Sequence, residues 1–213
     1  KVCSKIMDPV TTTDELIPSG ETSSYRSNPE RLSEFALSRR DPQYVGRSKV
    51  MRQIERDREA GKALPEEVMK VYEALTKAGI ANDPANTDIG STIFANMPGD
   101  GSAREQAASC QRVMGASANF AKQYATKRYR SNCINWGMTP FLVENPEVFE
   151  LGDYIFVPGI REAILENKAS FSAYAVKPDG TVTEFPVSTG ALTEAERQII
   201  ADGCLINYYR NNQ

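Results

Sequence analysis

The spacing of apolar residues predicts helices over residues 47–59 and 65–78. In both segments apolar side chains recur every three or four positions, which is the period of one helix face. Asn28 followed by Pro29 predicts the start of a shorter helix, because proline is favoured at the first helical position. We interpret residues 28–90 as a helical insertion between two stretches of chain that carry motifs.

The rest of the chain mixes short strands with helices. The β-branched opening predicts extended chain that ends at Asp14, before the turn Pro18-Ser19-Gly20. The turn Pro178-Asp179-Gly180 joins two alternating runs and predicts a hairpin. The other predicted elements are strands at 91–96 and 154–157, a helix from 102 to about 114, and a last helix from the capping box at 193–196 through 206. The pattern is that of a single mixed α/β domain over residues 1–213.

The charge and hydropathy of the chain limit the classes of partner that we expect. The chain has 25 basic and 28 acidic residues, a net charge of −3, and no long basic block, so nucleic acid is not an expected partner. The short runs Arg39-Arg40 and Lys127-Arg128-Tyr129-Arg130 are interpreted as solvated helix ends. No apolar stretch approaches the roughly 18 residues of a membrane span. We expect no membrane partner.

Cysteine and histidine usage restricts the chemistry. The four cysteines lie far apart in no metal-ligand spacing, and we expect a reducing, cytoplasmic compartment. There is no histidine, so acid–base catalysis requires other side chains or a partner. Cys133 is therefore rejected as a nucleophile, because no histidine could activate it. Cys110 is interpreted as a small core residue, and Trp136 is interpreted as a packing residue.

The most informative segment is Gly99-Asp100-Gly101-Ser102-Ala103-Arg104-Glu105. Glycines before a helix start leave backbone N–H groups free for an anion. Ser102 with Glu105 three residues later also fits a capping box, which alone would explain both residues. Arg104 in a first helical turn opposes the macrodipole but suits a carboxylate ligand. Both interpretations remain open at this point.

Taken in order, these residues resemble the C-terminal domain of the aconitase family, and the resemblance is closer to its hydratase branch than to aconitase itself. The family's G-S-S-R-E-H-A-A signature resembles Gly101-Ser102-Ala103-Arg104-Glu105-Gln106-Ala107-Ala108, the most specific match. The resemblance spans nearly the whole chain and is loosest at 28–90. Its other matches are Thr12-Thr13-Asp14, Gly20, Tyr25-Arg26, Asn132, Gly137 and Pro140.

This resemblance implies a fold and a role for four residues. The fold would be the swivelling β/β/α domain of the family. Ser102 would be the base that removes a proton next to a carboxylate. Arg26 and Arg104 would bind substrate carboxylates, and Asp14 would support the site from a strand end. In the family the three cysteines that hold the [4Fe-4S] cluster come from the larger N-terminal part, which implies a cluster in partner domains, and this chain has no cluster-type cysteine triad.

Three departures from the family put citrate or isocitrate in doubt as the substrate. Ala103 stands where the family has a second serine, Gln106 where it has a histidine, and Ile17 where aconitase has another serine. The resemblance then implies a hydro-lyase for another small hydroxy or unsaturated carboxylic acid.

The sequence leaves two arrangements and one competing function. The start at Lys1 rather than methionine, with the aconitase-like order, favours cluster domains on the same polypeptide; a separate small subunit, as in isopropylmalate isomerase, is the alternative. In either case we expect the isolated chain to be inactive. The competing function is a non-catalytic, carboxylate-binding or regulatory module, which Ala103 favours.

Overall fold

The computed structural model describes residues 1–213, in which nine strands alternate with nine α-helices. In chain order they are β1 (Val2–Ile6), β2 (Thr11–Thr12), α1 (Thr13–Leu16), α2 (Pro29–Ser33), α3 (Tyr44–Glu59), α4 (Glu66–Lys77), β3 (Ser91–Ala95), β4 (Pro98–Asp100), α5 (Gln106–Val113), β5 (Ala116–Ala121), α6 (Lys127–Asn135), β6 (Thr139–Leu142), β7 (Tyr154–Phe156), α7 (Ile160–Leu165), β8 (Phe171–Val176), β9 (Val182–Val187), α8 (Glu194–Asp202) and α9 (Leu205–Asn211).

The strands form three sheets. A parallel sheet has the order β1-β3-β5-β6, and an antiparallel sheet has the order β7-β8-β9. The predicted hairpin is confirmed, since β8 pairs with β9 from Phe171↔Val187 to Val176↔Val182. The third sheet is the short parallel pair β2-β4, which matters for the site.

The parallel sheet is buried on both faces. Along β3, Ile93 and Ala95 join a core of 24 residues shared with the helices, while Phe94 joins a core of 10 residues shared with the antiparallel sheet. This alternation follows from the two-residue period of a strand. The layers are antiparallel sheet, parallel sheet and helices. The expected β/β/α arrangement is confirmed.

The predicted helices of residues 28–90 are present, and one of them holds a later element. In α3, Ser48 Oγ donates to the Met114 carbonyl and Arg52 Nη1 to the Val113 carbonyl, each at 2.7 Å. These carbonyls end α5 and would otherwise lack partners. A cation there also suits the helix macrodipole. Residues 28–90 therefore fix the far end of the helix that follows the Ser102 loop.

Two sequence interpretations differ in part from the structure. The last helix is interrupted, because Gly203 adopts the left-handed conformation with φ 95° and ends α8, after which α9 starts at Leu205. The run 127–130 is a helix end, because it forms the first turn of α6, and Lys127 and Arg128 are exposed, but its other two residues are not solvated. Tyr129 there is buried, and Arg130 donates to the carbonyls of Thr189 and Ala191.

Candidate active site at the β2-β4 pair

The two motif-bearing segments meet because β2 and β4 pair in parallel. Thr11 lies opposite Pro98, and Thr12 lies opposite Asp100. The pairing extends to the preceding residues, where Thr11 N–H donates to the Met97 carbonyl at 3.0 Å. The two segments are about 90 residues apart in the sequence. Because they pair in parallel, the residues that follow β2 and the residues that follow β4 leave the pair at the same end.

Asp14 lies in the first turn of α1, directly after β2, and not at a strand end as expected. Thr12 is the N-cap of that helix and forms a capping box with Glu15. Glu15 N–H donates to Thr12 Oγ1 at 3.1 Å, and Thr12 N–H donates to Glu15 Oε2 at 2.7 Å. The box rotates the chain out of the strand at once and fixes the Asp14 backbone.

The Asp14 carboxylate lies between two guanidinium groups. Arg104 Nη1 is 3.4 Å from Asp14 Oδ1, and Arg39 donates to Asp14 Oδ2. Ser19 donates to Oδ1 with its backbone N–H and its hydroxyl, both at 3.0 Å. The pKa of Asp14 is held below its usual value first by the Ser19 N–H, then by the Ser19 hydroxyl, and further by the charges of Arg39 and Arg104.

Arg39 is a residue that sequence reasoning missed. Together with Arg40 it lies in turns between α2 and α3, not at a solvated helix end. Arg39 pairs with Asp14 and, at 3.4 Å, with Glu21, while Arg40 pairs with Asp8. No local pattern identifies these contacts, because the turn that creates them depends on how residues 28–90 pack.

Ser102 lies in an exposed loop, and the helix begins later than predicted. The N-cap of α5 is Glu105, which makes no side-chain capping bond, and α5 starts at Gln106. The capping-box explanation of Ser102 is therefore wrong. The helix starts late because β4 holds the chain extended as far as Asp100 and because Arg104 lies toward Asp14. A first helical turn at 102–105 therefore does not form.

The loop itself has the features of an anion-binding segment. Gly101 adopts a φ of 95°, a conformation that residues with a side chain rarely take. The backbone N–H groups of residues 102–105 donate to no protein acceptor. Beside them Arg104, with a side chain 21% exposed, contacts Asp14 through Nη1 alone. Its remaining N–H groups are free for a second carboxylate.

Arg26 makes no hydrogen bond or ion pair with the other three predicted residues. It follows a short 3-10 turn, Ser23–Tyr25, and its exposed side chain makes no hydrogen bond or ion pair. The neighbouring Tyr25 ring stacks on Phe35 at 5.5 Å between centroids. The turn packs on α2, which in turn packs on α5. Its convergence with Ser102 and Arg104 stays a prediction.

The comparisons with known proteins agree with the resemblance to the aconitase family. No protein-family profile matches the chain. Over 138 residues it is 30% identical to the methanogen homoaconitase small subunit of Methanocaldococcus jannaschii, an alignment that covers 64% of this chain and 72% of that subunit. The chain belongs to the aconitase-like small-subunit family. The crystal structure of 3-isopropylmalate dehydratase (leuD) from the same organism has the same fold, with a TM-score of 0.54, 18% identity, and coverage of 98% of this chain and 92% of that chain.

The cysteines of this aconitase-like chain do not fit an iron–sulfur cluster. Cys3, Cys110 and Cys133 are buried and Cys204 is partly so, and no three cysteine or carboxylate side chains converge as a metal site would require. Burial raises the pKa of Cys133 to about 12, which agrees with its rejection as a nucleophile. None of the helices is both long and apolar enough for a membrane span.

The three departures from the aconitase pattern lie in different environments. Ile17 is fully buried in the helix-side core, so position 17 packs and does not face a ligand. Ala103 is exposed in the loop beside Ser102, and Gln106 is partly exposed at the first turn of α5. Positions 103 and 106 therefore lie in or next to the Ser102 loop, whereas position 17 lies in the core.

Proposed function

We propose that this chain is the small subunit of an aconitase-like hydro-lyase that acts on a small hydroxy or unsaturated carboxylic acid. The observation that carries the proposal is the β2-β4 pair, which places the Asp14–Arg104 contact beside Ser102 and its free backbone N–H groups. The relatives support the same class of reaction, since one is a homoaconitase subunit and the other a 3-isopropylmalate dehydratase.

Each residue has a role in this proposal. Ser102, as an alkoxide, removes the proton from the carbon next to a substrate carboxylate. The electron pair of that C–H bond forms the C=C bond, and the hydroxyl on the neighbouring carbon leaves as water after gaining a proton. Arg104 and Arg26 bind substrate carboxylates, and Asp14 orients Arg104. A serine is a weak base until cations and N–H groups stabilise its anion, and the loop supplies both.

The remaining chemistry comes from a partner. A [4Fe-4S] cluster held by the large subunit would supply Lewis-acid chemistry for the leaving hydroxyl, and we assign the acid that would protonate that hydroxyl to the same subunit, since this chain has no histidine. Both relatives are subunit-sized proteins, and one is named a small subunit, which supports a separate partner over a single polypeptide. The isolated chain then has no turnover. We also propose that residues 28–90 are a helical insertion within one domain spanning 1–213.

The test compares two serine variants in the chain combined with its cluster-bearing large subunit. We expect Ser102→Ala to lower kcat by about 10²–10⁴-fold on 3-isopropylmalate or a homoaconitase substrate, the usual contribution of a positioned base. Ser131, exposed on α6, provides the control Ser131→Ala. Unchanged turnover in Ser102→Ala would instead support the non-catalytic, carboxylate-binding module.

A further inference from the structure

The residues at the start of α6 form hydrogen bonds with the backbone of β4. Ala125 N–H donates to the Pro98 carbonyl at 3.0 Å, and Thr126 Oγ1 donates to the Gly99 carbonyl at 3.1 Å. Thr126 is also the N-cap of α6 and accepts from Tyr129 N–H. The first turn of α6 is thus fixed both to itself and to the strand from which the Ser102 loop emerges.

The Tyr129 ring lies directly against Gly99. A Cβ at position 99 would stand 2.5 Å from the Tyr129 Cβ and 2.6 Å from its ring, which no side chain tolerates, and Gly99 has a φ of 99°. Tyr129 is 2% exposed. The glycine is therefore required by the close approach of this ring to the strand.

The Tyr129 hydroxyl forms hydrogen bonds with α5 and β5. It donates to Gln111 Oε1 in α5 at 2.6 Å and accepts from Asn119 Nδ2 in β5 at 3.0 Å. Gln111 and Asn119 are both fully buried, so these bonds are shielded from water. One side chain therefore contacts β4 just before the Ser102 loop and Gln111 within α5, the helix that follows the loop.

We propose that Tyr129 is a positioning residue that sets the distance between β4 and α5, the two elements that flank the loop carrying Ser102 and Arg104. This inference rests on the proposed function for its effect on catalysis. The loop is exposed and has few contacts of its own, so its ends determine where Ser102 lies. A shift of about 1 Å in a reacting group costs as much as ~100-fold in rate.

A matched pair of variants tests this. Tyr129→Phe removes the hydroxyl that reaches α5. Tyr124→Phe removes a neighbouring hydroxyl, which donates at 3.3 and 3.2 Å to the carbonyls of Asn119 and Phe141 and touches neither β4 nor α5. Tyr129→Phe loses two buried hydrogen bonds, and Tyr124→Phe loses one that is shared between two carbonyls, at a cost of about 1 kcal/mol per bond. Amide chemical shifts by NMR and the kinetics of the assembled enzyme are measured for both.

We expect the amide shifts of residues 99–106 to move in Tyr129→Phe and to stay in place in Tyr124→Phe. In the assembled enzyme, Tyr129→Phe should lower kcat by about tenfold with KM changed less than about threefold, because a misplaced base weakens the transition state rather than ground-state binding. Unmoved shifts at 99–106, or equal kcat losses in both variants, would overturn the inference. Unchanged turnover in Ser102→Ala would overturn the proposed function instead, and the NMR comparison would still decide the role of Tyr129.

Discussion

Arg104 Nη1 lies 3.4 Å from Asp14 Oδ1, although 90 residues separate the two in the chain. The Asp14 side chain is 44% exposed, so the pair contributes little to the free energy of unfolding. Its importance is geometric, because it joins the loop after β4 to the helix after β2. A contact that orients an arginine beside a candidate base is expected in an active site, even when it adds little stability. A helix cap does not require such a contact.

Replacing Asp14 with asparagine should separate this geometric role from stability. We expect Asp14→Asn to change the free energy of unfolding by less than about 1 kcal/mol. KM should rise about tenfold, since Arg104 loses the charge that orients it. Asp8→Asn is the control, because Asp8 pairs with Arg40 on the same surface and does not contact Arg104. Equal KM values in the two variants would contradict the role of Asp14.

The lowered pKa of Asp14 predicts a pH-dependent difference between these proteins. The unfolded chain takes up the Asp14 proton at a higher pH than the folded chain does, so the stabilisation is present above the unfolded pKa and is lost as pH falls through the folded value. The difference in urea midpoint between wild type and Asp14→Asn should therefore shrink from pH 6 to pH 3. A difference that stays constant over this range would show that the carboxylate is not held by Ser19 and the two arginines.

The sequence predicted the helices of residues 47–78 better than the surroundings of the candidate site. The periodicity of residues 47–78 was enough for α3 and α4, because helices with one buried face are encoded locally. The start of α5 was wrong because it depends on β4 pairing with β2, a contact that no local pattern contains. Arg39 was missed for the same reason, and α6 was missed because its polar first turn hides the buried Tyr129 and Cys133.

Cysteine reactivity tests the buried environment around α6. Since burial raises the pKa of Cys133 to about 12, its thiolate is scarce at pH 8. We expect iodoacetamide at that pH to modify Cys204 first and to leave Cys3, Cys110 and Cys133 unmodified in the folded chain, as measured by mass spectrometry of peptides. All four should react in urea. Rapid modification of Cys133 without denaturant would mean that α6 does not pack as described.

The chain offers two capping boxes, one beside the site and one distant from it. Thr12 caps α1 and Thr193 caps α8, each with a glutamate three residues later. Thr12→Ala and Thr193→Ala should each lower the free energy of unfolding by about 1 kcal/mol. Only Thr12→Ala should also raise KM, because α1 carries Asp14. Thermal unfolding and initial rates measure the two effects, and a similar KM in both variants would remove α1 from the site.

The stability of Ser102→Ala distinguishes the two explanations of Ser102 without any enzyme assay. A serine that caps a helix loses about 1 kcal/mol of stability when replaced by alanine. In the structure Ser102 is exposed, four residues before Gln106, and Glu105 makes no side-chain capping bond. The free energy of unfolding should therefore change by less than about 0.5 kcal/mol, as for a surface substitution. Chemical denaturation of Ser102→Ala beside Thr193→Ala, a true cap, measures this, and equal losses would return Ser102 to the role of an ordinary cap.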